Sequence, residues 1–229
     1  MPQYERVGSG RTFLEVVKQI KESVLQGELK PGMFLPSESE LTQQFGVSRT
    51  VIREALRTLE QMGLCKVVRG ARGGAQITLP SSKIIAESLS LMVNMKPEYS
   101  ADIVEARRII EPEVAALAAV NATPAQINEL EHLLREMEDS HATDVNRYIE
   151  ADLRSHIVIA HACDNFILDN LMMSMSDIIG QLIGDLSQHL GMRKSGVIHH
   201  HHIAAAIRNH DPDAARVHVL TMLSAPLLR

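Results

Sequence analysis

The sequence has no tryptophan, and aromatic residues make up only 3% of its 229 positions. Sheet-dominated folds draw on aromatic and β-branched side chains, so this scarcity, beside abundant Met, Leu, Ala and Ile, points to helices. The only two cysteines, Cys65 and Cys163, stand far apart. That excludes a disulfide framework and makes a reducing cytoplasm the simpler setting. No apolar run reaches the ~20 residues needed to span a bilayer, and the N-terminus carries no signal-peptide pattern. A soluble cytoplasmic protein without membrane contact is therefore expected.

What is present is ample apolar content, 45%, enough for one large core or two modest ones. The net charge of −5 hides an asymmetry. Residues 1–80 hold 11 Lys/Arg against 8 Asp/Glu, and residues 81–229 hold 12 against 20. A mildly basic front joined to an acidic back suits a nucleic-acid-binding module carried on a second domain.

Residues 1–10 read as a mobile arm, and helical spacing over Thr12–Gln26 ends at Gly27. A turn segment from Leu29 to Pro36 leads to Ser37 and Glu40, an S-x-x-E capping box. Leu41–Arg57 then reads as a short helix, a turn at Gly46 and a second helix capped by Ser48. Its exposed face carries Arg49, Arg53 and Arg57. In a helix-turn-helix the start of the second helix, here Ser48, Arg49, Thr50 and Arg53, meets base edges and phosphates in the major groove. On this stretch alone a solvated basic face on an ordinary helical hairpin remains an equal alternative.

Beyond Gly63, two short apolar runs, Leu64–Val68 and Ala75–Leu79, flank Arg69-Gly-Ala-Arg-Gly-Gly74. This pattern predicts a β-hairpin with Arg69 and Arg72 at its tip. A phosphate-cradling loop fits poorly, because the P-loop Lys-Ser/Thr is missing and no helix follows Gly74. The expected fold is mainly α: a winged helix-turn-helix over 1–79, then an all-α helical bundle over 80–229. Bundle helices are expected at 83–95, 101–121, 124–139, 144–162, 165–190, 198–209 and 212–228. Thr123 with Gln126 and Asp211 with Pro212 supply start signals.

Ten of the eleven histidines lie after residue 140. Asp152 and His156 share a helical face and, with a histidine from a neighbouring helix, could ligate a divalent ion such as zinc; a plain Asp/His hydrogen bond is the bland alternative. Within His199–His202, His200 falls on the face defined by Ile203 and Ile207, His199 lies near it, and His201 and His202 face solvent.

Several of these residues form a recognisable pattern. Pro31-Gly32, Leu35-Pro36-Ser37-Glu38, Glu40-Leu41, Phe45 to Thr50 and Arg53-Glu54-Ala55-Leu56 resemble the winged-helix signature of GntR-family transcription regulators. Further on, Glu105-Ala-Arg107, Ile110-Glu111, Leu117-Ala-Ala, Asp152, His156, Asn165, His200, Ile203, Ala206-Ile207 and Asp211-Pro212 resemble the FadR-type C-terminal effector domain (FCD). The resemblance implies a homodimer on a palindromic double-stranded operator, acting most simply as a repressor, with a small organic acid in the bundle altering DNA affinity. It implies operator contacts from Arg49 and Arg53, with Ser48 and Thr50 beside them and Gly70 as the wing glycine. It places Asp152, His156 and His200 on metal-ligand positions, and Arg107 and Asn165 as effector contacts. The fourth ligand position is Met222, a poor donor for such ions, with His218 one turn away as a substitute. Arg107 has a competing use, an i,i+4 pair with Glu111. Two other readings stay open: a sensor of the metal itself, and a metal-dependent hydrolytic enzyme.

Overall fold

The computed structural model describes residues 13–70, 73–95 and 100–224. The arm at 1–10 and Arg72 lie outside the described residues. The chain divides into two compact units, Met1–Ile84 and Ile85–Arg229, the division falling inside a helix rather than at Pro80.

In the first unit the order is α1 (Phe13–Leu25), α2 (Glu38–Phe45), α3 (Arg49–Gln61), β1 (Cys65–Val68) and β2 (Gly74–Ile77). Local chemistry sets each boundary. The Ser37 hydroxyl accepts from Glu40 N while the Glu40 carboxylate accepts from Ser37 N, so the capping box is complete. Gly46 closes α2 at φ 69°, a left-handed conformation that would strain a side chain, and Ser48 caps α3 through Val51 N. The strands pair antiparallel with Cys65 opposite Ile77 and Val68 opposite Gly74. The segment before α2, expected only as a turn, also pairs with the hairpin: Leu35 N donates to Ala75 O, and Phe34 bridges Gln76. Ile20, Leu41, Phe45, Ile52, Leu59 and Ile77 fill one core beneath both motifs.

The second unit contains α4 (Ser82–Met95), α5 (Ser100–Asn121), α6 (Pro124–Ser140), α7 (Val145–Ala162), α8 (Phe166–Leu186), α9 (Leu190–Arg208) and α10 (Pro212–Leu223). Helix α5 is the axis, packing on α7, α8, α9 and α10. Its buried Ala115, Ala116, Ala118 and Ala119 let those neighbours approach closely. The expected caps at Thr123 and Asp211 are formed. Three of these boundaries differ from expectation by more than one residue: α8 ends at Leu186 rather than 190, α9 begins at Leu190 rather than 198, and α10 ends at Leu223 rather than 228. His189 makes no side-chain cap bond, and Gly191 and Gly196 are weak helix formers. Tertiary contacts compensate, because the buried Arg193 guanidinium donates to His141 O and Ser187 O. No single described helix is long and apolar enough to cross a membrane.

Candidate functional site

In the first unit, α3 carries three arginines, Arg49, Arg53 and Arg57. Ser48, Arg49, Thr50, Arg53 and Arg57 all lie along the start and outer face of α3, where Arg49, Thr50 and Arg53 are exposed. Arg69 and Gly70 are exposed at the end of β1, and Gly70 takes φ 128°, which only glycine adopts without strain. Local spacing gives no sign of one further partner: Arg53 Nε donates to Glu38 Oε2 at 3.0 Å. This pair is mostly solvated, so it is a weak tether rather than a lock.

The second unit brings Asp152 and His156 of α7 against His200 of α9, all three buried, with one ligand atom from each within 4.8 Å of the others. Asp152 Oδ1 lies 3.1 Å from His200 Nε2 and 3.6 Å from His156 Nε2. Donors bound tetrahedrally at zinc distances sit about 3.4 Å apart, so the spacing fits such an ion. Satisfaction of polar atoms points the same way. Asp152 Oδ1 and His200 Nε2 are buried without a hydrogen-bond partner, their close approach lacking the required angle. The outer nitrogens are engaged: His200 Nδ1 lies 2.9 Å from Gly196 O and His156 Nδ1 lies 3.4 Å from Glu111 Oε2. With Nδ1 directed outward, an ion that displaced the Nε2 proton would meet the Nε2 lone pair facing inward, as a metal ligand needs.

Electrostatics follow from this packing. Burial would depress His156, but the Glu111 charge and the nearby Asp152 carboxylate outweigh it and raise the imidazole to about 9. Burial would raise Asp152, but the charges of His200 and His156 hold it well below the usual carboxylate range. Glu111 is likewise held low, by Arg107 and His156 against burial. A divalent ion would supply in one body the positive charge these acids now take from a protonated imidazole.

A cavity of about 100 Å³ opens beside the triad, room for several waters or for an ion with a small acid. Arg107, Tyr148, His199 and Met222 help to line it. Arg107 is 5% exposed and pairs through Nε and Nη2 with Glu111, so the competing i,i+4 use is realised within the cavity wall. His218 stands against His202, ring centroids 5.0 Å apart, and is not among the three grouped donors. Asn165 departs from expectation: it is exposed at the start of α8, where its Oδ1 caps Ile167 N and Leu168 N, and it does not line the cavity. Local spacing offers Glu111 only as a partner for Arg107; its contact with His156 comes from helix packing that such spacing does not reveal.

Residues 12–74 match the model of the gntR family of bacterial regulatory proteins, and residues 102–225 match the FCD domain. The HTH-type transcriptional regulator LutR of Bacillus subtilis is 35% identical over 68% of this chain and 70% of its own length. The galactonate operon transcriptional repressor of Escherichia coli is 27% identical over 93% of this chain and 94% of its own. The solved structure of Streptococcus agalactiae GntR superposes with a TM-score of 0.71 at 27% identity, covering 92% of this chain and 96% of that one. An exposed arginine-bearing recognition helix with its wing, joined to an FCD bundle, thus agrees with sequence likeness: the chain belongs to the GntR family of transcription regulators.

Proposed function

We propose that this regulator is a metabolite-responsive repressor that binds a palindromic operator as a homodimer and releases it when a small hydroxy or sugar acid enters the bundle. The observation that carries the proposal is the buried Asp152–His156–His200 group, with two orphaned polar atoms, beside a cavity walled by Arg107. These three residues would hold a divalent ion, zinc by donor type. When bound, the ion supplies a Lewis-acid docking point for carboxylate and hydroxyl oxygens. Arg107 adds a planar cation suited to a carboxylate. Met222 supplies only a thioether, so the acid itself would complete the coordination. The name of the galactonate operon repressor makes a sugar acid the first ligand to try.

On DNA, Arg49 and Arg53 would read base edges, Ser48 and Thr50 would contact neighbouring phosphates, and Arg69 beside Gly70 would follow the backbone. Family membership sets aside the hydrolytic enzyme. The metal-sensor reading keeps one support, since the orphaned atoms call for an ion whatever the effector. Calorimetry separates the readings. Zinc should bind wild type and fail to bind Asp152→Ala, and galactonate or lactate should bind only the zinc-loaded protein. An acid that binds equally without zinc removes the metal from effector recognition; zinc that alone releases DNA favours the sensor.

A further inference from the structure

Tyr148 is 2% exposed and lines the cavity from α7, four residues before Asp152, so the two project from the same helical face. A buried phenol seeks a hydrogen-bond partner, and Asp152 is the carboxylate on its face. A phenol holds its proton below pH ~10, so a tyrosine hydroxyl facing a carboxylate is the donor of the pair. Helix α9 meets it from the other side. A Cβ placed on Gly196 would collide with the Tyr148 oxygen but stand 3.5 Å from its Cζ, an ordinary contact. The hydroxyl, not the ring, is what requires glycine at 196. The same Gly196 offers its carbonyl to His200 Nδ1.

We propose that the Tyr148 hydroxyl, seated against Gly196, orients Asp152 at the metal by donating to the carboxylate from outside, leaving Oδ1 directed at His156 and His200. This rests on the metal reading above. His156 leans on Glu111 and His200 on the Gly196 carbonyl, so Tyr148 gives the third ligand its outer partner. Tyr148 is a positioning residue and not itself a ligand. Gly196 serves two of the three ligands, one through its carbonyl and one by lacking a side chain.

The test uses the whole protein and Co²⁺, whose visible absorption reports coordination geometry. Wild type should bind Co²⁺, and Asp152→Ala should abolish binding. Tyr148→Phe should fold as wild type yet weaken Co²⁺ binding about 10- to 100-fold, the range for loss of an outer partner, with a shifted absorption band. Gly196→Ala should weaken binding in the wild-type background by displacing the hydroxyl, and add little in Tyr148→Phe, where the remaining 3.5 Å contact is ordinary. Unchanged affinity in Tyr148→Phe, with Asp152→Ala still inactive, overturns the positioning role and leaves the metal centre standing. Identical behaviour of wild type and Asp152→Ala overturns both.

Discussion

At Cys65 burial, reinforced by the Glu60 charge, pushes the thiol up to about 11. An unfolded cysteine ionises near pH ~8.5, so above that pH the unfolded chain releases a proton that the folded chain retains. Stability from this group is whole below pH ~8.5 and declines as pH rises from there toward 11. Cys163 is also raised by burial. Both thiols should therefore resist a disulfide reagent at pH 8 in the native protein and react at once in guanidinium; free-thiol rates in the native state would contradict this burial. Single residues also show what can be read locally. Asp152 and His156 are four apart and His200 falls on the face set by Ile203, so spacing turns each inward, while the family resemblance is what joins the three as ligands. The contacts of Glu111 with His156 and of Gly196 with Tyr148 join different helices and arise only when α5, α7 and α9 pack. Asn165 misleads for the opposite reason: its oxygen meets a local need, the open N-terminus of α8.

Elements whose ends are fixed by their own side chains are readable, and those held from afar are not. The Ser37–Glu40 box, the Ser48, Thr123 and Asp211 caps and the Gly46 turn all form where composition places them. Helix α9 begins eight residues earlier than its apolar spacing indicates, because Arg193 and close packing at Gly196 override weak local propensity. That added stretch includes Met192, Ser195 and Gly196, part of the cavity wall. Removing the Ser37 hydroxyl with Ser37→Ala should lower stability by about 0.5–2 kcal/mol in chemical denaturation, since it leaves a helix-start N–H unpaired; no loss would mean that solvent serves that group equally well. The wing has its own test. If Arg69 meets phosphate, Arg69→Ala should weaken all duplexes alike and lower the slope of log affinity against log salt by about 0.9. An unchanged slope would take Arg69 out of the interface.

The molecule joins a basic reader to an acidic bundle, and each half alone is incomplete. A solvated arginine face can bind any duplex; specificity requires two recognition helices about one DNA turn, ~34 Å, or a multiple apart. Setting that spacing is the task proposed for the bundle, by pairing two copies of the chain, and a ligand acts only through its differential affinity for the DNA-competent arrangement. The direct measurement is anisotropy on a duplex that the protein selects from a random pool, against a scrambled duplex at physiological salt, with zinc and with or without galactonate. The selected duplex should be favoured at least ~10³-fold, a preference that Arg49→Ala erodes. Galactonate should weaken that binding on the order of 5- to 150-fold in wild type and leave Asp152→Ala unmoved. Equal affinity for both duplexes, or a galactonate response that survives Asp152→Ala, would contradict the account.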